Sequence, residues 1–314
     1  MSGSLLPPAF SSRASALLHR IQRGSSAVEL VYTSHDRWPF PSNDSNHIPP
    51  KPVLRISVLD SSFNPPTLAH LALANTQPPL YSEYSVSSSV LPELSARDYD
   101  AKLLLLSVRN ADKLLNRGDA SYIQRLEMIY LLAGHISHPN SEGSTSPSEV
   151  ANVAIAIIDE PTFVGKSTTL LTFLHSRIST VPKPQLTFLL GFDTLVRLLS
   201  PRFYASEEAM TRLLHAFFAT ESDDSRVVCA RRLSSGVDRE AQEELESRTF
   251  TFVKEFIGKD HVALIDINKD VRTFSSSEVR NKSSGGDLDW KNLVPNSVAE
   301  YIVKEGLYPQ LSDQ

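Results

Sequence analysis

Short, unbroken apolar runs recur along the chain: Val53–Leu59, Leu103–Val108, Val153–Ile158, Leu186–Leu190, Val227–Ala230 and Val262–Ile267. Each is strand-sized and apolar throughout, as expected of a strand covered on both faces by helices. Between them lie stretches that read as helices: Thr67–Ala74, Tyr122–His135, Thr168–Ile178, Glu207–Ala219 and Asp238–Ile257. This alternation predicts an α/β fold, an open and mostly parallel sheet with helices on both faces. Ahead of the first buried run, a basic helix is expected near Ser11–Gln22, with Leu17, Leu18 and Ile21 on one face, then a short strand near Val28–Tyr32. Residues 36–52 are rich in proline and read as a linker. The chain therefore divides into an N-terminal extension and linker, 1–52, and a main domain, 53–309. The Gly/Ser/Thr-containing stretch Pro139–Glu149 reads as a surface loop.

Composition narrows the function. The 314 residues are 41% hydrophobic and 21% charged, ordinary for a globular chain, and the formal net charge is -5. That balance provides no general attraction to nucleic acid or to anionic membranes, so neither is expected as a partner. Any anion site has to be local. The apolar runs fall far short of the roughly 20 residues a membrane-spanning helix needs. Cys229 is the single cysteine, so no internal disulfide can form, which fits a reducing compartment. Residues 1–28 carry Arg13, Arg20 and Arg23 with many serines and no acid before Glu29. An organelle-import presequence shares that composition, but an ordinary basic helix accounts for it, and the expectation is a cytoplasmic or nuclear protein rather than a mitochondrial one.

The densest chemistry follows the first buried strand: Leu59-Asp60-Ser61-Ser62-Phe63-Asn64-Pro65-Pro66-Thr67-Leu68-Ala69-His70. The two prolines end the strand and suit a turn or a first helical position. A helix starting near Pro66 or Thr67 would place free N–H groups and a positive dipole end at the carboxyl edge of the sheet, where open α/β folds bind ligands. Thr67 and His70, three apart, would share one face of its first turn, looking toward that region. Read blandly, the string is a strand–turn–helix corner, with His70 bonded to a nearby carbonyl.

A second candidate lies some two hundred residues on. Phe274-Ser275-Ser276-Ser277-Glu278-Val279-Arg280 follows the last strand-like run. Ser275 and Glu278 fit a helix-capping box, and a serine-capped helix start is also an anion site. Arg280 in its first turn could aim a guanidinium at phosphate oxygens, or be a solvated surface charge. In the middle of the chain, Gly191-Phe192-Asp193 ends a strand. Taken alone, it is a strand end with a capping aspartate. Arg125 heads an amphipathic helix, and Arg231 follows the strand at Cys229.

The first string, Ser62-Phe63-Asn64-Pro65-Pro66-Thr67-Leu68-Ala69-His70, resembles the G-S-F-N-P-x-T-x-x-H motif of NMN adenylyltransferases, and the second resembles their I-S-S-T-x-x-R motif. Arg202-Phe203-Tyr204 after Pro201 is similar to the family's Pro-x-Leu-Trp stretch, and Leu293–Tyr308 to its last helix. The resemblance covers about residues 53–309, with unmatched insertions at 76–100 and 139–150, and implies a Rossmann-like nucleotidyltransferase fold. Ser61 stands where the family has glycine. The second tryptophan of animal-type members is absent, and the corresponding stretch reads Ile158-Asp159-Glu160-Pro161-Thr162-Phe163.

What the resemblance implies is adenylyl transfer from ATP to NMN, giving NAD and pyrophosphate. His70 and Arg280 would be catalytic. Ser61, Ser62, Phe63, Asn64, Thr67, Gly191, Asp193, Arg231, Ser276 and Ser277 would join them in binding ATP and its phosphates. Asp193, Phe203 and Tyr204 would hold the nicotinamide. Mg²⁺ would enter on ATP, with no metal site of the protein's own. Nicotinate mononucleotide, or another phosphate-bearing acceptor such as phosphopantetheine, stays open as the substrate. So does a degenerate, ATP-binding member with a regulatory role. Self-association is left open as well.

Overall fold

The computed structural model describes residues 5–41, 52–79, 98–109, 118–137, 151–178, 182–231, 239–256 and 261–309. The expected 139–149 loop lies outside them, as does most of the 76–100 insertion. The apolar runs form one seven-stranded sheet: β1 (Val28–Thr33), β2 (Val53–Asp60), β3 (Ala101–Ser107), β4 (Val153–Ile158), β5 (Lys183–Gly191), β6 (Arg226–Ala230) and β7 (Val262–Ile265). The order across the sheet is β1-β4-β3-β2-β5-β6-β7. All neighbours run parallel except β1, which pairs antiparallel with β4 at one edge. The N-terminal extension is thus part of the same sheet. Its helix α1 (Phe10–Gln22) buries Phe10, Ala14, Leu18 and Ile21, a stripe spaced three or four residues apart.

Two hydrophobic cores sandwich the sheet. On one face α2 (Leu68–Ala74) and α3 (Tyr122–Ala133) join α1 over Leu104, Leu106, Ile155 and Ile157. On the other, α4 (Phe163–Arg177), α5 (Phe192–Leu198) and α6 (Glu207–Phe218) cover Ile56, Val58, Phe188 and Cys229. The helix α7 (Arg239–Phe256) adds Val253 to this second face. A third cluster packs α8 (Ser276–Ser284) and α9 (Asn296–Lys304) against α3 through Met128, Val279, Trp290 and Tyr301. The carboxylate of Glu127, on α3, accepts hydrogen bonds from Ser11 and Tyr301 and so ties both ends of the chain to the central helix.

Two of the boundaries that differ from expectation have local reasons. Helix α4 begins at Phe163, five residues before the expected Thr168, because Thr162 caps it: its hydroxyl accepts from the Gly165 N–H at 3.1 Å. Glu160 accepts from the N–H and hydroxyl of Thr162. Its carboxyl carbon lies 2.3 Å from where a β-carbon on residue 165 would sit, so a side chain there would push the Glu160 carboxylate off Thr162. The helix at 67–74 begins at Leu68, with Thr67 as its N-cap.

The carboxyl ends of β2 and β5, adjacent strands with helices departing to opposite faces, form the switch point of the sheet. A crevice opens there by construction.

Candidate active site

A cavity of about 530 Å³ fills that crevice. It receives Ser61 and Ser62 from the loop after β2, His70 from α2, and Gly191 and Asp193 from the end of β5 and the start of α5. Phe203 and Tyr204 enter from the turn after α5, Arg231 from the end of β6, and Ser276, Ser277 and Arg280 from α8. His70 and Arg280 therefore share one cleft. Among the described residues, six basic side chains line it (Arg125, Lys166, Arg197, Arg231, Arg272 and Arg280) against two carboxylates, Asp60 and Asp193. In a chain of net charge -5 this is a local anion-attracting field.

The two distant motifs are joined directly. The Ser276 hydroxyl donates to the Pro65 carbonyl at 2.7 Å, and Arg280 Nη1 donates to the Asn64 carbonyl at 2.6 Å. Ser275 caps α8, its hydroxyl accepting from the Glu278 N–H at 3.1 Å, as the sequence implied. The helix start and its guanidinium are thus bolted to the loop after β2. Arg280 Nη2 also reaches Ser277 Oγ at 3.3 Å.

Asn64 is the keystone of this junction. It is 4% exposed. Its side-chain oxygen accepts from the Ala120 N–H at 3.1 Å and from the Tyr308 hydroxyl at 2.9 Å. Its amide nitrogen donates to Asp119 at 2.6 Å. Burial pushes the Tyr308 phenol well above the ordinary tyrosine range, so it remains a donor. Arg125 braces the same loop, donating to the Ala120 carbonyl at 2.9 Å and to the Ser62 carbonyl at 3.3 Å. Its guanidinium also lies 3.5 Å from Asp119. Asp119 and Tyr308 were not singled out from sequence as site residues. Nothing in their local pattern marks them, because their partners lie 55 and 244 positions away.

His70 is oriented by its own helix. Its Nδ1 accepts from the Thr67 N–H at 3.0 Å, leaving Nε2 as the protonated nitrogen of the neutral ring. Nε2 donates to Ser61 Oγ at 3.0 Å. One expectation, the direction of Thr67, is corrected here. The Thr67 side chain does not look into the cleft; it is fully buried at the N-cap, with its hydroxyl 2.9 Å from His70 Nδ1. Phe63 is also fully buried, in the core beneath α2, with its ring centroid 5.3 Å from that of His70. Both support His70 rather than line the cavity. The left-handed backbone of this loop falls on Phe63, with φ of 45°, and not on Ser61. Serine at 61 therefore meets no backbone strain that glycine would relieve.

At the other end of the cleft, the Tyr204 hydroxyl donates to the Leu198 carbonyl at 2.7 Å, which fixes its ring. Burial raises its pKa to about 12. The Arg202 guanidinium lies 4.5 Å from the centre of the Phe203 ring. Asp193 is exposed in the first turn of α5, whose N-cap is Gly191, so it is not the cap. Arg231 is half-exposed between Glu246 and Asp266, at 3.9 and 3.7 Å. Phe163 lines the cavity and packs edge-on against Phe188.

No family model matches the chain. A Schizosaccharomyces pombe protein named "Putative nicotinamide mononucleotide adenylyltransferase" is 30% identical over 187 residues, 60% of this chain. The match spans 57% of that relative's length. A Gloeobacter violaceus protein named "Probable nicotinate-nucleotide adenylyltransferase" is 27% identical over 263 residues, 81% of this chain and 96% of its own. Among solved structures, a Plasmodium falciparum nicotinic acid mononucleotide adenylyltransferase aligns over 81% of this chain and 96% of its own, at 15% identity and a TM-score of 0.44. The two motifs meet in one cleft, and both curated relatives bear the names of mononucleotide adenylyltransferases, so this chain is similar to that group of nucleotidyltransferases.

Proposed function

We propose that the protein transfers the adenylyl group of ATP to NMN, forming NAD and releasing pyrophosphate. The observation that carries this reading is the direct bonding of Arg280 and Ser276 to the Asn64–Pro65 loop beside His70. One triphosphate can span that junction. A phosphate monoester is largely ionised at neutral pH, with a second pKa of about 6. The acceptor needs no general base, and the protein's work is positioning and charge stabilisation. His70 Nε2–H, now held by Ser61, would donate to an α-phosphate oxygen. Arg280 and the first-turn amides of α8 would hold the departing pyrophosphate. Mg²⁺ would enter with ATP as part of the substrate and would neutralise phosphate charge there. Tyr204 and Phe203 offer aromatic surface to the pyridinium ring.

Nicotinate mononucleotide is the competing acceptor, favoured by the name of the relative matched over 96% of its length. The test is chromatographic detection of dinucleotide from purified protein, ATP, Mg²⁺ and each mononucleotide in parallel. NAD is expected from NMN, with turnover reduced at least tenfold in His70→Ala. Near-normal turnover in that variant would remove His70 from the mechanism. Product from the nicotinate form alone would reassign the acceptor.

A further inference from the structure

Lys166 and Asp60 form a buried ion pair that the reading above leaves unused. Lys166 Nζ lies 2.6 Å from Asp60 Oδ2, and their side chains are 5% and 8% exposed. Both line the cleft. The ammonium also sits 4.9 Å from the centre of the Phe163 ring. Burying such a pair is a poor way to stabilise a fold. Removing two charges from water costs about as much as their attraction returns, and apolar residues of similar size usually do as well. This pair has a location that gives it another use.

The last residue of β2 and the loop after it meet three cationic or proton-donating partners in sequence. Asp60 meets Lys166, Ser61 meets His70, and Asn64 with Pro65 meets Arg280 and the start of α8. In-line transfer needs the attacking and leaving oxygens on opposite sides of the phosphorus. If His70 marks the α-phosphate and Arg280 the leaving pyrophosphate, the attacking phosphate belongs at the far end of this row. Lys166 is the cation there.

We propose that Lys166 is the residue that binds the phosphate of the incoming mononucleotide, and that Asp60 is a positioning residue that holds its ammonium at the mouth of the loop. This deepens the proposed function and rests on it for the identity of the acceptor. In the step itself, an acceptor phosphate oxygen bonds to the α-phosphorus. The bond from that phosphorus to the α,β-bridging oxygen breaks, and pyrophosphate departs with the electron pair. Lys166 keeps its proton throughout. Its task is to neutralise one of two anions that must approach each other. The first turn of α4 presents it, and the Thr162 cap and Glu160 brace fix that turn.

The test compares binding of NMN with that of nicotinamide riboside, which lacks the phosphate, by calorimetry in the presence of a non-hydrolysable ATP analogue. Wild type, Lys166→Met, Asp60→Asn and the double variant are used, with acceptor and ATP KM measured in parallel. Wild type is expected to prefer NMN, and Lys166→Met to lose roughly 10- to 100-fold of that preference, the size of one charge-assisted hydrogen bond. Acceptor KM should rise by a similar factor while ATP KM stays within about twofold. The double variant separates this from a structural role. Having no orphaned charge, it should melt near wild type, yet it should still bind NMN no better than the riboside. A double variant that keeps the phosphate preference overturns the proposal, as does a wild type with no preference. Loss of the preference in a protein that makes no dinucleotide would leave Lys166 assigned and the adenylyl-transfer reading refuted. Dinucleotide synthesis unaffected by Lys166→Met would do the reverse.

Discussion

Replacing Asn64 with alanine should destabilise the protein and loosen both halves of the cleft together. Three groups lose their partner: the N–H of Ala120, the hydroxyl of Tyr308 and one oxygen of Asp119. Ala120 and Tyr308 are 1% and 5% exposed, so water does not readily replace what is lost. Each buried donor left without an acceptor costs about 1–3 kcal/mol. Asp119 keeps Arg125 at 3.5 Å and Arg280 at 3.9 Å, and contributes less. The expected total is about 3 kcal/mol, a large part of the roughly 5–15 kcal/mol by which folded proteins are stable. Urea unfolding followed by circular dichroism would register this as a lower midpoint. Tyr308→Phe should cost only about 1 kcal/mol, because Asn64 keeps the Ala120 N–H. The double variant should then be less destabilised than the two single changes summed, by about 1 kcal/mol, because the hydroxyl that Asn64→Ala strands is no longer there. Strict additivity, or a cost for Asn64→Ala under about 1 kcal/mol, would refute the argument that this side chain holds the junction.

Two further outcomes are expected. Arg280→Lys keeps the charge but cannot reach the Asn64 carbonyl and Ser277 with one planar fork; ATP affinity by calorimetry should fall roughly tenfold with little change in melting temperature, and unchanged affinity would argue against a triphosphate contact. Burial lifts the Cys229 thiol from its ordinary 9.0 to about 12, with Glu246 and Asp193 adding to the shift. The native thiol should therefore resist a thiol-reactive dye at pH 8 and react on unfolding. Because the folded pKa is the raised one, its contribution to stability is complete below about pH 9 and is lost as pH climbs toward 12. Rapid labelling of the native protein at pH 8 would contradict this.

The sequence by itself determined the strands, the parallel α/β class and the two segments, 61–70 and 275–280, that meet in the cleft. Continuous apolar runs have few alternatives to a sheet covered on both sides, and a proline-broken strand followed by a capped helix start is a local pattern. It also determined Ser275 as a cap, because capping involves neighbours three positions apart. What only the tertiary structure decided is how those segments face one another. Thr67 and Phe63 belong to the right motif, yet both point into the protein, since the direction of a side chain at a turn depends on what packs beneath it. Asp119, Tyr308 and the Lys166–Asp60 pair were invisible as site residues. Their partners lie 55, 244 and 106 positions away, and a contact at such separation leaves no periodicity to read. The antiparallel place of β1 is of the same kind: a short strand carries its own propensity, but its neighbour and direction are set by which sheet edge is left open.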